Sequence, residues 1–279
     1  MFRVQSYQLN SLLGRSNVTL PLQPKTVPEM IISSSNSAFK TAGGVRQFFL
    51  ILIFGVFGIV GSDFCRAETV LVGSDEIFIP LPLTHCVLEE SNHSDSRLIE
   101  YYRNAAEQMD QVFLIGSANC QQLEDWRKGR LPTLNDWAGA YAPSMFLNET
   151  ILMNSEEFVA ELRQEYLDTG VQEMEELLKE SQSTMNKAAD DLFANKLHVG
   201  EITQLGILDR DKNSLYVGYV APVTTELGEI KQALGIRALT LVGGKFILLE
   251  LCSVYQDIDT IYETLRNIKD WSHRTQLQN

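Results

Sequence analysis

The chain predicts an α+β fold: a largely antiparallel sheet with helices packed on it, in an α-β-α sandwich-like arrangement. Two observations carry this. The β-rich runs of the last third meet mostly through tight turns, which join antiparallel neighbours. Apolar residues step by threes and fours across 154–196 and again after Asp257, the spacing of helices that bury one face.

The first distinctive segment is the apolar run from Phe48 to Gly61, 14 residues long. As a helix it spans roughly 21 Å, short of the roughly 30 Å hydrocarbon core. Lys40 and Arg46 precede it, and Cys65-Arg66-Ala67 puts small residues at the −3 and −1 positions of a cleavage site. Residues 45–67 therefore read as a secretory signal peptide cut between Ala67 and Glu68. If the run is retained, it becomes a membrane anchor. Residues 1–44 hold four cations, one acid (Glu29) and many serines, without a sustained apolar period, and read as a disordered extension. Two explanations stand: a start assigned too early, with Val45 as the alternative, or an organelle transit peptide ahead of the signal.

Residues 68–279 read as one α+β domain, long enough to bury a real core. Thr69 to Glu90 is extended, with Pro80 and Pro82 suiting a strand end or edge. Ser94 or Asp95 caps a helix with Leu98, Tyr101, Tyr102, Ala105 and Met109 on its apolar face. Val112 to Ile115 is a short strand ending at Gly116, Cys120–Arg127 a helical segment, and Trp137 to Leu147 another strand. Asn154, with Glu157 three residues on, resembles a capping box opening a long helical region over 155–196 that Gly170 breaks or bends. Beyond Gly170, Val171, Met174, Leu178, Ser181, Met185, Ala188 and Leu192 form a stripe that suits a coiled-coil seam or a core-facing helix. Its short extent, with Ser181 and Ala188 in the seam, favours the core.

The last third predicts strands over His198–Leu208 and Leu215–Val220, and a short helix over Glu226–Leu234. A hairpin follows from Arg237 to Cys252, closed by Gly243-Gly244, and Asp257 caps the final helix. This ending, Leu239 to Trp271, resembles the C-terminal unit of the Mog1/PsbP-like α-β-α sandwich. The resemblance covers about an eighth of the chain and implies the fold and the company of exported, non-enzymatic binders; it assigns no functional residue.

Charge narrows the partners. Of 23 Lys+Arg and 36 Asp+Glu, 6 and 2 fall in the first 67 residues, so residues 68–279 carry 17 and 34, a net of −17. Such a surface repels phosphate backbones and anionic headgroups, which excludes nucleic acid as a partner and leaves an envelope protein as the expected one. Residues 68–279 hold three cysteines. Cys252 sits in an apolar strand and reads as a buried thiol, which leaves Cys86–Cys120 as the expected disulfide in an oxidising compartment.

Candidate chemistry is sparse, and no cofactor signature is present. Asp209, Asp211 and Asn213 alternate like the opening of a calcium loop. Ser214 stands where the loop wants Gly and Val220 where it wants Glu, so a hairpin turn is the stronger reading. Gly243-Gly244-Lys245 lacks the first Gly and the Ser/Thr of a phosphate loop. His85-Cys86 would place a thiol beside a base, but neighbours on a strand point to opposite faces. Arg127, Lys128 and Arg130, flanked by Trp126, Trp137 and Tyr141, form the basic loop best suited to an anion or partner contact. The favoured reading is an exported, non-catalytic accessory or binding protein of the cell envelope, periplasmic or secreted. The alternatives are an exported hydrolase built on Cys86 and a histidine, or a membrane-tethered structural protein. An organelle lumen follows if residues 1–44 are a transit peptide.

Overall fold

The structure is a computed structural model that describes residues 67–169, 171–193, 197–225 and 227–279. The extension, the hydrophobic run with its signal reading, and the break at Gly170 lie outside the described residues. In chain order the elements are β1 (Ala67–Val72), β2 (Asp75–Pro80), β3 (His85–Val87), α1 (His93–Gln108), β4 (Gln111–Asn119), α2 (Cys120–Arg127), β5 (Asp136–Pro143), α3 (Ser155–Asp168), α4 (Val171–Phe193), β6 (His198–Val199), β7 (Thr203–Arg210), β8 (Ser214–Thr224), β9 (Ile230–Val242), β10 (Lys245–Val254) and α5 (Ile258–Leu277). Among the described residues, no helix is long and apolar enough to cross a membrane.

Eight strands form one strongly curled sheet in the order β3-β4-β5-β10-β9-β8-β6, with β7 also paired to β8; β1 and β2 make a separate hairpin. Every pairing is antiparallel, as the tight turns predicted. The turn at Gly243-Gly244 has φ of +56° and +78°. Two consecutive positive-φ residues match the right-handed strand twist, and glycine takes them without a Cβ clash. This turn sets Val242 opposite Lys245, and hence Arg237 opposite Glu250.

The strand alternation splits the core into two layers. On the convex side Leu234, Ile236 and Ala238 of β9 and Ile247, Leu249 and Leu251 of β10 pack with Ile268 and Trp271 of α5. The β1–β2 hairpin closes this layer with Ile77 and Ile79, and the Trp271 indole N–H donates to the Pro80 carbonyl. On the concave side Phe158, Val159 and Leu162 of α3 meet Leu215, Leu239 and Leu248. The same side carries α1 on β4, where Tyr102 and Ala105 cluster with Ala188 and Ala189 of α4. Met174 and Ala188 are fully buried, so at these positions the stripe of α4 faces the core.

Several local expectations are corrected. Of the helix expected over Glu226–Leu234, Glu226 lies outside the described residues and Ile230 to Leu234 are instead the start of β9, because they continue the ladder with β8 from Thr224 to Val220. That ladder satisfies the backbone along the segment, and its short apolar run fits either period. Helix α1 is capped by Asn92, whose side chain accepts from the Ser94 and Asp95 amides. Asp95 itself is buried beneath Arg127. Strand β4 runs through Gly116 to Asn119, with a bulge between Phe113 and Ile115, and β5 ends at Pro143 rather than Leu147. Asn154 caps α3 and Asp257 caps α5, the latter with a full capping box to Thr260.

Candidate ligand-binding cavity

The concave face does not close on its helices over its whole length. A cavity of about 430 Å³ lies between β5, β10, β9 and β8 on one side and α1 and α4 on the other. Small residues make the space. At its floor, Gly139 faces Glu250 across one ladder and Gly235 faces Cys252 across the next. A Cβ on Gly235 would overlap the Tyr219 ring, and one on Gly139 would overlap Tyr141. Each tyrosine therefore lies down over a glycine of the sheet instead of standing into the cavity, a pairing that fills the gap glycine leaves. Gly235→Val is predicted to expel the Tyr219 ring, collapse the cavity and cost about 1–3 kcal/mol by overpacking; urea denaturation together with solvent access to Cys252 measures both effects.

The walls are aromatic. Tyr102 stacks on Trp137 with ring centroids 4.7 Å apart and meets Tyr101 edge-on at 5.2 Å. Trp126, Leu134, Met185 and Leu197 complete the apolar lining. The aromatics that flank the basic loop in the sequence are thus cavity walls.

The floor is polar. Arg237 Nε donates to Glu250 Oε1 at 2.5 Å, and the Tyr219 hydroxyl donates to the same oxygen at 2.8 Å. The Glu250 side chain is 2 % exposed and that of Arg237 20 %. A lone buried carboxylate would be costly; here it is paired and hydrogen-bonded. The guanidinium also lies 5.6 Å from the Tyr219 ring centroid. Burial pulls the Arg237 guanidinium down, but the charge and hydrogen bond of Glu250, with Tyr219 and Tyr141 beside them, together outweigh it and hold the group charged. Burial, reinforced by the Glu250 charge, pushes the Tyr101, Tyr102, Tyr141 and Tyr219 phenols up, so each remains an O–H donor at physiological pH. Burial also raises the Cys252 thiol, which stays protonated and inert.

The residues singled out in the sequence fall elsewhere. Cys86 and Cys120 form a disulfide joining β3 to the start of α2, and Cys252 is free and buried. Cys86 therefore carries no free thiol. Arg127 binds Asp95 with its fork and donates to the Val87 carbonyl, Lys128 pairs with Glu124, and Arg130 pairs with Asp125, so each cation of the basic loop faces a carboxylate of its own chain. Around the β7–β8 turn, Asp211 Oδ1 accepts from the Asn213 and Ser214 amides, and Asp209 pairs with Lys269. Among the described residues, no three His, Cys, Asp or Glu side chains converge on a metal position. Lys245 is buried and gives its protons to Asp75 and to the Leu147 and Glu149 carbonyls.

His85 lies 3.2 Å from Ser117 Oγ through Nδ1 and 3.2 Å from Asp136 through Nε2. The residue types are those of a hydrolase triad, but Ser117 is 3 % exposed on the sheet face opposite the cavity, beside Ala138. A nucleophile so covered has no room for a substrate carbonyl, and the three residues brace β3 against β4 and β5. The polar floor itself, Arg237 and Glu250, is not singled out by the sequence. The two-residue turn at Gly243-Gly244 fixes its register, and counting outward from that turn pairs the two charges. Comparison with known protein families, with curated proteins and with solved structures returned no match.

Proposed function

We propose that this is an exported, non-catalytic binding protein of the cell envelope, periplasmic or secreted, that holds a small apolar or amphiphilic molecule in the concave-face cavity. The observation that carries the reading is the cavity itself: about 430 Å³, walled by aromatic side chains and floored by a few polar groups. Ligand sites are commonly of this size and character. The Cys86–Cys120 disulfide supports an oxidising compartment, and the signal read at 45–67 supports export. The resemblance of Leu239–Trp271 to the PsbP-like ending supports the non-enzymatic class.

The test uses the protein recovered after export and the neutral fluorophore N-phenyl-1-naphthylamine. Saturable enhancement of its emission at one site per chain is expected. Ala233 lines the cavity, and Ala233→Phe is expected to fill it and weaken the probe by at least about tenfold, or about 1.4 kcal/mol. Absence of saturable binding by a protein that unfolds cooperatively would overturn the reading.

A further inference from the structure

A second, smaller cavity of about 120 Å³ lies on the same concave face toward α3 and α4. Arg237 and Tyr219 line both cavities. The guanidinium thus stands at a shared partition, with a large, mostly apolar chamber on one side and a small chamber, lined in part by Gln108, Gln204, Asp110 and Glu180, on the other; Gln111 lines both.

The polar groups at the partition are mostly donors. Arg237 uses Nε for Glu250, and among the described residues its two Nη atoms have no hydrogen-bond partner. The Tyr141 hydroxyl, which lies over Gly139 beside Glu250, likewise has no hydrogen-bond partner among the described residues. The lining of the large cavity holds both the guanidinium and the Tyr141 phenol, and among the described residues the chain commits neither the two Nη atoms nor this hydroxyl to a hydrogen bond. Buried donors are matched by acceptors, and the forked guanidinium matches a carboxylate in particular.

The opposite end of the large cavity differs. Lys231 sits six residues before Arg237 on β9, roughly 20 Å away at about 3.3 Å per residue. Its ammonium already donates to Asn135 Oδ1 at 3.0 Å and approaches Thr133 Oγ1 at 3.4 Å. Between the two cations the sheet offers Ala233, Ala221, Val223 and Trp137, with Leu134 beside them in the lining. The space between the cations is therefore largely apolar; the Thr225 hydroxyl, buried without a hydrogen-bond partner, lines it toward the Lys231 end, and the forked donor stands at the Arg237 end.

We infer that the ligand is a monocarboxylate amphiphile, its carboxylate accepting from the Arg237 Nη atoms and the Tyr141 hydroxyl, and its apolar chain running along β9 toward Lys231. This rests on the binding-protein reading above and specifies the occupant of the same cavity. Glu250 stays on the Nε edge of the guanidinium, so the cation bridges two carboxylates, one from the chain and one from the ligand.

The test is displacement of N-phenyl-1-naphthylamine by dodecanoate and by dodecanol, which share a chain and differ in the head. Dodecanoate is expected to bind at least about tenfold tighter. Arg237→Lys keeps a charge for Glu250 but removes the fork, and is expected to abolish that preference; Lys231→Gln is expected to preserve it. Tyr141→Phe, which leaves the ion pair untouched, is expected to weaken dodecanoate severalfold and leave dodecanol unchanged, and it serves if Arg237→Lys fails to fold. Equal binding of acid and alcohol would overturn the carboxylate assignment and leave the cavity reading standing. A preference that survives both Arg237→Lys and Tyr141→Phe, or that falls with Lys231→Gln, would overturn the placement of the head. Failure of the fluorophore and both amphiphiles to bind would overturn the cavity reading, and this inference with it.

Discussion

Arg237→Leu is expected to lower the unfolding free energy by about 3–5 kcal/mol, more than removing both members of the pair. The reason is the asymmetry of a buried ion pair. With Arg237 gone, the Glu250 carboxylate, 2 % exposed, retains the Tyr219 hydroxyl but no counter-charge. The double variant Arg237→Leu/Glu250→Met removes the stranded charge and is expected to recover most of the loss. Urea denaturation of the two variants checks this, because midpoints compare directly when the slopes agree. A double variant no more stable than Arg237→Leu would show that the pair also fixes the packing of the four tyrosines. The same pair would then be needed for the shape of the cavity as well as for its charge.

Cys86→Ser/Cys120→Ser is expected to destabilise the protein by about 3–4 kcal/mol, from a loop of 34 residues of sequence separation freed in the unfolded chain. The bond has a second role in the folded state. Strand β3 has three residues and, among the described residues, pairs only with β4. Its hold on the sheet comes from the disulfide, from His85 between Ser117 and Asp136, and from Arg127 reaching the Val87 carbonyl. Loss of the disulfide is therefore expected to raise amide hydrogen exchange first at residues 85–87 and around α2, ahead of global unfolding. Uniform exchange across the sheet in the variant would show that β3 is held by its side chains alone.

What was legible in the sequence was local. The Gly243-Gly244 turn, the caps at Asn154 and Asp257, helix α2 and the three-and-four stripe of α4 are each set by a few neighbouring residues, and each appears where those residues place it. The disulfide followed from there being three cysteines, one of them in an apolar strand. Non-local features were harder. The start of β9 depends on the partner ladder offered by β8, which outweighs an ambiguous apolar period. Strand β4 continues past Gly116 because the ladder with β5 runs on there, with Gly116 facing Gly139 and Ala118 facing Trp137. The cavity depends on residues from α1, β5, α4, β8, β9 and β10, and no one segment carries its signature. Its glycines, Gly139 and Gly235, look in the sequence like breaks in strands. Only beneath the rings of Tyr141, two residues along β5 from Gly139, and of Tyr219, across the ladder from Gly235, do they become the room that the rings occupy.

The borders of the sheet have a consequence at high protein concentration. A sheet edge with unpaired amides and carbonyls invites a strand from another molecule. Here one border is the three-residue β3, stapled by its cystine. The other is shared by β7, whose register shifts twice, and by the two-residue β6. On β6, the Asn186 side chain accepts from the Val199 amide and donates to its carbonyl, so one carboxamide from α4 stands in for the missing strand. Irregular, short or already occupied borders give a second copy little to add to. The fold thus keeps neighbouring copies apart at its margins by backbone geometry, independently of the mutual repulsion of their acidic surfaces.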